Sequence, residues 1–374
     1  MKKSLIALFI LLCLLVTSIV GCTQGKVDER PVCTCTCCCG ASSTTAEPHE
    51  SATHPTTDGH SSGTQSPETT SAPTTNATTS PETTSPSTTA PETDRIPQGD
   101  DLVLEFPMNL PSATYSGLAV LKNDKFIVTD PNNKRGLSNS PYAFSFGAAK
   151  DGKPHSITVE NQKLYDSFGT NTLAWDNKTS EKVLYLTFDC GYKYKDLDMR
   201  ILNTLAEKNV KATFFVTIAY ARTATVEMSR MISDGHIIGN HTANHPSDCS
   251  KLSREALALD ILELHNYVRA NYGYSMEYFR FPGGNYSHNN LELIDSLGYK
   301  TAFWSIAHAD WDPEDQPGVE VSFNTVTGRL HPGAVILLHS TSPDNVEMLG
   351  RFIDYCRAQG YEFRSLDQYE HWHE

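Results

Sequence analysis

The sequence predicts an α/β protein over residues 181–374, in which parallel strands alternate with helices as an open sheet or a barrel. Two observations support this prediction. Short runs of β-branched, aromatic and aliphatic residues recur along this part of the chain, and segments with helical periodicity separate them. The helical segments carry apolar residues along one face, which is the pattern of helices packed on the outside of a sheet.

The predicted elements follow one another in a regular order. Strands are predicted in KVLYLTF, KATFFVT, HIIGNHT, EYFRF, YKTAFWSI, GAVILLH and YEFRSL, and helices over 196–208, 224–234, 253–271, 288–297 and 344–358. The clearest apolar stripes are Leu197, Ile201, Leu202 and Leu205 in the first helix, Leu257, Ile261, Leu264 and Val268 in the third, and Val346, Leu349, Ile353 and Cys356 in the last. Gly360 is placed to cap the end of the last helix.

The first 98 residues have a different composition. Residues 1–21 begin with a lysine pair and continue as an apolar run, which indicates a secretory signal peptide. The segment SIVGC at its end resembles a bacterial lipobox, so that Cys22 becomes a lipid-modified first residue; a secreted protein with a chance cysteine is the alternative. Residues 22–98 are rich in Thr, Ser and Pro and almost free of apolar side chains, which predicts a disordered stalk.

A cysteine-rich segment, CTCTCCCG, lies within this stalk. It contains Cys33, Cys35, Cys37, Cys38 and Cys39. Such close spacing does not let four ligands surround one ion as the paired CxxC motifs of zinc ribbons do. A metal cluster, disulfides, further lipidation and no function all stay open.

Residues 99–180 contain short strand-like pieces, DLVLEF and KFIVTD, among loops rich in Gly, Pro and Asn. We interpret them as an N-terminal extension of the main domain, without assigning its topology. The whole chain has a net charge of −14 and no long block of Lys or Arg, which argues against a nucleic-acid partner. This acidic balance is compatible with a neutral glycan as substrate.

Side chains with catalytic potential follow five of the predicted strands. They are Asp189 after KVLYLTF, His241 and His245 after HIIGN, Arg280 at the end of EYFRF, Asp310 beyond YKTAFWSI and His339 at the end of GAVILLH. In a parallel barrel the carboxyl ends of the strands meet on one face, so we expect these side chains to form one site. The pair in HTANH lies on one side of a helix if the segment is helical and can then share an ion, although such a pair is often just part of a polar surface. His339 alone could equally be a hydrogen-bonded core histidine.

Taken together and in order, TFDCG, HTANH, RFPGG, ADW and LLH resemble the five motifs of the polysaccharide deacetylase family, the NodB-like carbohydrate esterases of family 4. The resemblance covers about residues 181–369 and implies a distorted, incomplete (β/α) barrel. LYLTFDCGY, DGHIIGNHT, FWSIAHADWDPEDQPG and LHPGAVILLHSTSPDN are most similar to the muramic-acid deacetylase branch. The segment from YAFSFG to KLYDSFG is similar to that branch's N-terminal extension, which takes the match back to about residue 142.

The resemblance also implies roles for individual residues. Asp189 would be the general base, with Arg280 as its ionic partner, and His339 the general acid, with Asp310 as its partner. His241 and His245 would bind a divalent metal, expected to be Zn²⁺, which lowers the pKa of bound water. The expected substrate contacts are Pro282 and Gly283 of the third motif, and Trp311 and Leu337 as walls of the acetyl pocket, with ordinary core as the alternative for these last two. The family usually has an aromatic residue at the position of Gly283.

Cys190 is a second departure from the family pattern. Most members carry an aspartate there as third metal ligand, and the muramic branch typically carries asparagine. Three readings stay open: a thiolate ligand, which would favour zinc, a neutral thiol beside a two-histidine site, and a disulfide with Cys249.

The sequence therefore predicts a metal-dependent peptidoglycan N-deacetylase that releases acetate from N-acetylmuramic acid, with a role in forming the muramic δ-lactam of spore cortex left open. Its partners would be the glycan strand and, through the lipid anchor, the outer face of a membrane, facing the cell wall; prior action of a muramoyl-alanine amidase stays open. The alternatives are a deacetylase of N-acetylglucosamine in peptidoglycan or another wall glycan, and a catalytically silent glycan-binding lipoprotein.

Overall fold

The computed structural model describes residues 97–105 and 125–373. The predicted signal peptide, Cys22, the cysteine-rich segment and all but the last residues of the predicted stalk lie outside these ranges. Within them, no helix has the length and apolar character needed to cross a membrane.

The strands are β1 Leu102–Glu105, β2 Lys125–Val128, β3 Tyr142–Ala143, β4 Thr172–Leu173, β5 Val183–Cys190, β6 Thr213–Val216, β7 Ile237–Asn240, β8 Tyr278–Phe279, β9 Asn285–Tyr286, β10 Lys300–Ala302, β11 Ala334–His339 and β12 Glu362–Arg364. The helices are α1 Ser156–Phe168, α2 Leu197–Glu207, α3 Ile218–Thr223, α4 Thr225–Ser233, α5 Arg254–Tyr272, α6 His288–Ser296, α7 Val319–Thr327 and α8 Pro343–Ala358.

The central sheet is parallel throughout, in the order β11, β5, β6, β7, β8, β10, β4, with β12 also paired to β5. The chain beyond β10 returns to β11, where Ser305 N–H donates to the Val335 carbonyl at 2.9 Å and Leu337 N–H donates to the Ile306 carbonyl at 2.9 Å. This contact draws the two sides of the sheet together into a curled half-barrel. The predicted fold class, an incomplete (β/α) barrel, is confirmed.

The main elements form where the sequence predicts them, for identifiable reasons. All eight residues of β5 are buried, as expected for a parallel strand covered on both faces. The α5 helix begins at a cap, where the Ser253 hydroxyl accepts from Ala256 N–H, and it ends at Gly273 with a φ of 62°. Gly360 has a φ of 83° just after α8, as the helix-stop prediction requires. The five predicted helices are confirmed, with ends displaced by at most one residue.

Three helices were not predicted. The buried face of α1 consists of Thr158, Gln162 and Tyr165, so the sequence shows no apolar stripe there. The α7 helix, VEVSFNTVT, is rich in β-branched residues, which have low helix propensity, and it lies in what was read as a long loop. The third, α3, is only six residues long.

The segment before β4 packs directly on the barrel. Tyr142 stacks on Tyr286 with ring centroids 5.3 Å apart, and Phe144 lies 4.7 Å from Phe303 and 4.6 Å from Trp304. Phe303 and Trp304 directly follow β10, close to the catalytic end of the sheet. The segment therefore helps to build the wall beside the candidate site.

Candidate active site

The carboxyl ends of the strands hold a fully buried ion pair between Arg280 and Asp189. Arg280 Nη1 donates to Asp189 Oδ1 at 2.9 Å, while Nε and Nη2 donate to the carbonyls of Ala302 at 2.8 Å and Phe303 at 3.1 Å. The guanidinium carbon also lies 4.2 Å from the centre of the Phe215 ring. With these partners the planar guanidinium has one orientation, which aims the carboxylate of Asp189.

This pair determines the ionisation of Asp189. Burial by itself raises the pKa of the carboxyl, but the interactions with His241, Arg280 and His339 together outweigh it and hold the pKa below its ordinary value. Arg280 is the permanent cation among these groups. Asp189 is therefore a carboxylate at neutral pH, the form that can accept a proton.

The HTANH segment is a loop, so the helical geometry considered for it is wrong. Thr242 and His245 have positive φ values of 67° and 49°, and the turn is closed by His245 N–H donating to Thr242 Oγ1 at 3.0 Å. The two imidazole rings nevertheless meet, with centroids 5.0 Å apart and planes at 76°. A tight turn thus pairs the histidines without any helix.

The buried ring of His241 has a defined tautomer. Its Nδ1 lies 2.8 Å from the Arg280 carbonyl, and because a carbonyl only accepts, Nδ1 carries the hydrogen and Nε2 keeps a lone pair. Burial lowers the pKa of His241 to about 4, so the ring is neutral. Nε2 faces Asp189 Oδ2 at 3.4 Å, which brings two acceptors together in a buried site.

This arrangement fits a cation. A neutral imidazole held from behind by a carbonyl is how proteins present metal-binding histidines, and an ion near Nε2 would relieve the repulsion between the two acceptors. His245 supplies a second imidazole and is exposed. Across the described ranges, however, no group of three His, Cys, Asp or Glu side chains is arranged to hold a metal.

Cys190 belongs to no such group among the described residues, and its tentative assignment as third ligand stays a prediction. Cys190 follows Asp189 in β5, and successive side chains of a strand generally lie on opposite faces of the sheet. Burial, together with Asp198, raises the pKa of its thiol well above the ordinary value, with Ser340 beside it. Cys190 and Cys249 are both free and buried, so the disulfide reading is also not supported. The neutral thiol is the reading that agrees with this environment.

The second pair joins the buried Asp310 and the half-buried His339. His339 Nδ1 lies 2.7 Å from Asp310 Oδ1, and the His339 backbone N–H donates to Asp310 Oδ2 at 2.8 Å. Burial lowers the pKa of His339, but the adjacent Asp310 carboxylate and then Asp189 together outweigh it, so the net shift is upward. The pKa of Asp310 is itself below its ordinary value, because its contacts with His339, His308 and Asn345 outweigh burial. The ring nitrogen Nε2 of His339 is left for the site.

The two pairs face each other because their strands are neighbours. In the β5–β11 register, His339 stands directly opposite Asp189. Asp189, with its lowered pKa, and His339, with its raised pKa, thus lie side by side at the same end of the sheet. This pairing is suited to removing one proton and delivering another.

The expected substrate-contact residues differ in exposure. Leu337 and Pro282 are buried, whereas Trp311 is 63% exposed and therefore not ordinary core. Gly283 is exposed with a φ of 59°, a conformation that a larger residue would adopt only with strain. Their contacts with a substrate remain a prediction.

Two polar residues behind the site were missed by the sequence reasoning. Asn345 donates to Asp310 Oδ2 at 2.6 Å, and His308 lies 2.9 Å from the Asn345 amide oxygen. Asn345 follows a serine and a proline at the start of α8, where a polar residue reads as a normal part of a helix start. Nothing in its spacing points to Asp310.

Comparison with known proteins agrees with this geometry. A family model described as polysaccharide deacetylase matches residues 176–302, which include Asp189, the two histidines and Arg280. The peptidoglycan-N-acetylmuramic acid deacetylase PdaA of Bacillus subtilis is 33% identical over 232 residues, which are 62% of this chain and 86% of that protein. The chain therefore belongs to the polysaccharide deacetylase family and is a hydrolase of that class.

A solved structure of PdaA and one further relative extend this comparison. The solved structure of Bacillus subtilis PdaA, a family 4 carbohydrate esterase, matches with a TM-score of 0.57 and 32% identity, covering 62% of this chain and 97% of that one. A peptidoglycan-N-acetylglucosamine deacetylase of Bacillus cereus is 31% identical over 187 residues, 48% of this chain and 66% of that protein.

Proposed function

We propose that this protein removes the acetyl group from N-acetylmuramic acid residues of peptidoglycan, releasing acetate and leaving a free amine. The observation that carries the proposal is the placement of Asp189, paired with Arg280, directly opposite His339, whose pKa is raised and which is paired with Asp310. The similarity to PdaA over most of that protein's length supports peptidoglycan and its muramic acid as the substrate.

The residues of the chain divide the chemistry between them. An amide resists hydrolysis because its carbonyl is a weak electrophile and its amine a poor leaving group. Asp189 takes a proton from the attacking water, and Arg280 keeps the carboxylate ionised and aimed. His339 gives the proton on Nε2 to the departing sugar nitrogen, while Asp310 holds the opposite ring nitrogen and fixes the tautomer. Leu337 and the exposed Trp311 border the space for the acetyl methyl group.

His241 and His245 would hold a divalent ion, with Zn²⁺ the first choice for two imidazole donors. When bound, such an ion supplies Lewis-acid polarisation of the acetyl carbonyl. We propose that His241 and His245 would be the protein ligands without Cys190, because the thiol of Cys190 is buried and its pKa is raised well above the ordinary value. Replacing His241 by Ala should weaken zinc binding in calorimetry, whereas replacing Cys190 by Ala should leave it within about twofold. If Cys190→Ala weakens zinc binding as much as His241→Ala does, Cys190 is a thiolate ligand after all.

The choice of sugar is tested on the product. Intact peptidoglycan is treated with the enzyme, digested to muropeptides and analysed by tandem mass spectrometry. Loss of one acetyl mass from muramic acid supports the proposal, and loss from glucosamine supports the second candidate, which the Bacillus cereus relative favours. Comparing strands with and without prior amidase treatment shows whether the stem peptide must be removed first. Glycan binding with no acetate released, with zinc supplied, would favour the silent binding protein.

We also propose that the domain is held outside the cell by a lipid on Cys22, at the base of the Thr/Ser/Pro-rich stalk of residues 22–98. Several acyl chains on one cysteine anchor stably, whereas one chain alone anchors marginally. Labelling with a radioactive fatty acid should mark the wild-type protein and not Cys22→Ala. Equal release of both proteins into the medium would contradict the anchor.

A further inference from the structure

The carboxylate of Asp310 is contacted from behind by a side chain amide that takes no part in the chemistry described above. Asn345 Nδ2 donates to Asp310 Oδ2 at 2.6 Å and to the His339 carbonyl at 3.0 Å. Asn345 is fully buried in the first turn of α8, and the Ser342 hydroxyl accepts its backbone N–H at 3.1 Å. One amide thus ties together the start of α8, the end of β11 and the loop after β10.

An amide can lie in two orientations, and here a second residue selects one. His308 Nε2 is 2.9 Å from Asn345 Oδ1, and since an amide oxygen only accepts, Nε2 carries the hydrogen. His308 Nδ1 is buried and has no hydrogen-bond partner in the part of the chain that the structure describes, as suits an unprotonated ring nitrogen. In the opposite orientation, the amide oxygen of Asn345 would face the Asp310 carboxylate, and its NH₂ would face the N–H of His308.

We propose that His308 and Asn345 are positioning residues that set the proton affinity of His339 through Asp310. His308 fixes the orientation of the Asn345 amide, the amide donates to one oxygen of Asp310, and the other oxygen is left to accept from His339 Nδ1. The proposal rests on the proposed role of His339 as general acid.

The charged and titratable groups around His339 and Asp310 are the following. Asp310, Asp189 and Arg280 face His339, and His308 faces Asp310 at 3.5 Å. Asp189 and Arg280 do not contact His308 or Asn345 through any described hydrogen bond. A change in either positioning residue should therefore act on the acid and leave the base alone.

The test measures kcat/KM for acetate release against pH, with the pKa of His339 followed by NMR. Asn345→Ala and His308→Leu should lower kcat/KM at neutral pH by ~10-fold, because a hydrogen bond to a charged group is lost. The basic limb of the profile should move to higher pH by about one unit, because Asp310 loses a donor that weakens its charge and then stabilises the imidazolium more strongly, while the acid limb stays in place. His308→Gln keeps an N–H donor and should restore both.

Matched controls separate this role from a structural one. His331 is buried at the opposite end of β11, so His331→Leu should leave both limbs of the pH profile unchanged. His339→Ala tests the proposed function first: if acetate release survives it, the acid assignment fails independently of this inference. If His339→Ala is inactive but Asn345→Ala and His308→Leu keep the wild-type basic limb, the positioning inference alone is overturned.

A measurement on the wild-type protein decides the question should the variants fail to fold. Nitrogen-15 chemical shifts report which ring nitrogen of His308 carries the hydrogen. A hydrogen on Nε2 is required. A hydrogen on Nδ1 alone would leave the Asn345 amide without its orienting donor and would overturn the proposal.

Discussion

Replacing Arg280 by methionine is the sharpest perturbation of the base. Methionine is close in length and unbranched, so it can occupy the buried volume with little clash. It removes the permanent cation that is paired with Asp189, and it leaves the carbonyls of Ala302 and Phe303 without this donor. Asp189 then loses its interaction with Arg280 and keeps those with His241 and His339, so the effect of burial is opposed less and its pKa should rise.

The expected magnitude follows from that environment. Breaking one side of a buried ion pair costs ~3–5 kcal/mol of folding free energy. The sign with pH is defined: the lowered pKa of Asp189 stabilises the wild-type fold above the carboxyl's unfolded pKa, and this contribution is lost as pH falls through the folded value. The deficit of Arg280→Met should therefore be largest at neutral pH and shrink in acid, where Asp189 is protonated in the variant.

Activity and stability are measured together. Acetate release should fall by ~10²–10⁴-fold at neutral pH, and the acid limb of kcat/KM should move to higher pH. Urea unfolding of Arg280→Met, Asp189→Asn and the double variant completes a double-mutant cycle, in which the double variant should be more stable than Arg280→Met alone. Additive losses and an unmoved acid limb would refute the assignment of Arg280 as the group that ionises Asp189.

Three further substitutions test the surroundings of the site. Cys190→Asp should destabilise the fold by ~3 kcal/mol in urea unfolding, because the new carboxylate is buried near Asp198. It should not tighten zinc binding in calorimetry. Tighter zinc binding would contradict the proposal that Cys190 is not a metal ligand. Burial raises the pKa of Asp198 to about 6, so the folded state holds this proton more tightly than the unfolded state does, and stability falls as pH rises from about 4 to 6. In urea unfolding, Asp198→Asn should therefore increase the free energy of unfolding by on the order of 2–3 kcal/mol at neutral pH and should leave it unchanged in acid. Gly239→Ala would place its Cβ 2.4 Å from the Phe215 ring, on which the Arg280 guanidinium lies. We therefore expect lower acetate release and a lower melting temperature. Wild-type values of both would argue against this close packing.

The parts of the site that sequence could predict are those that depend on strand ends. Asp189, Arg280 and His339 end or follow apolar runs, and parallel strands necessarily bring such positions to one edge. The family resemblance then supplied the pairing of Asp189 with Arg280 and of His339 with Asp310, which the geometry contains.

The remainder depends on contacts that no local pattern encodes. The spacing in HTANH is compatible with a helix, but left-handed residues make it a turn. The raised pKa of the Cys190 thiol follows from its burial in β5 and from the nearby Asp198, neither of which the family motif specifies. Asn345 contacts Asp310 although the two residues are 35 positions apart in the sequence. The buried face of α1 consists largely of polar residues, so no apolar stripe predicts this helix.

The most direct test of the account is acetate release from peptidoglycan by Asp189→Asn, measured beside the wild-type protein with zinc supplied to both. Asparagine keeps the shape of the side chain and cannot accept the proton from water. The account predicts a loss of ~10²–10⁴-fold with a folded domain by circular dichroism. Acetate release at the wild-type rate would contradict the role of Asp189 as the base and, with it, the proposed mechanism.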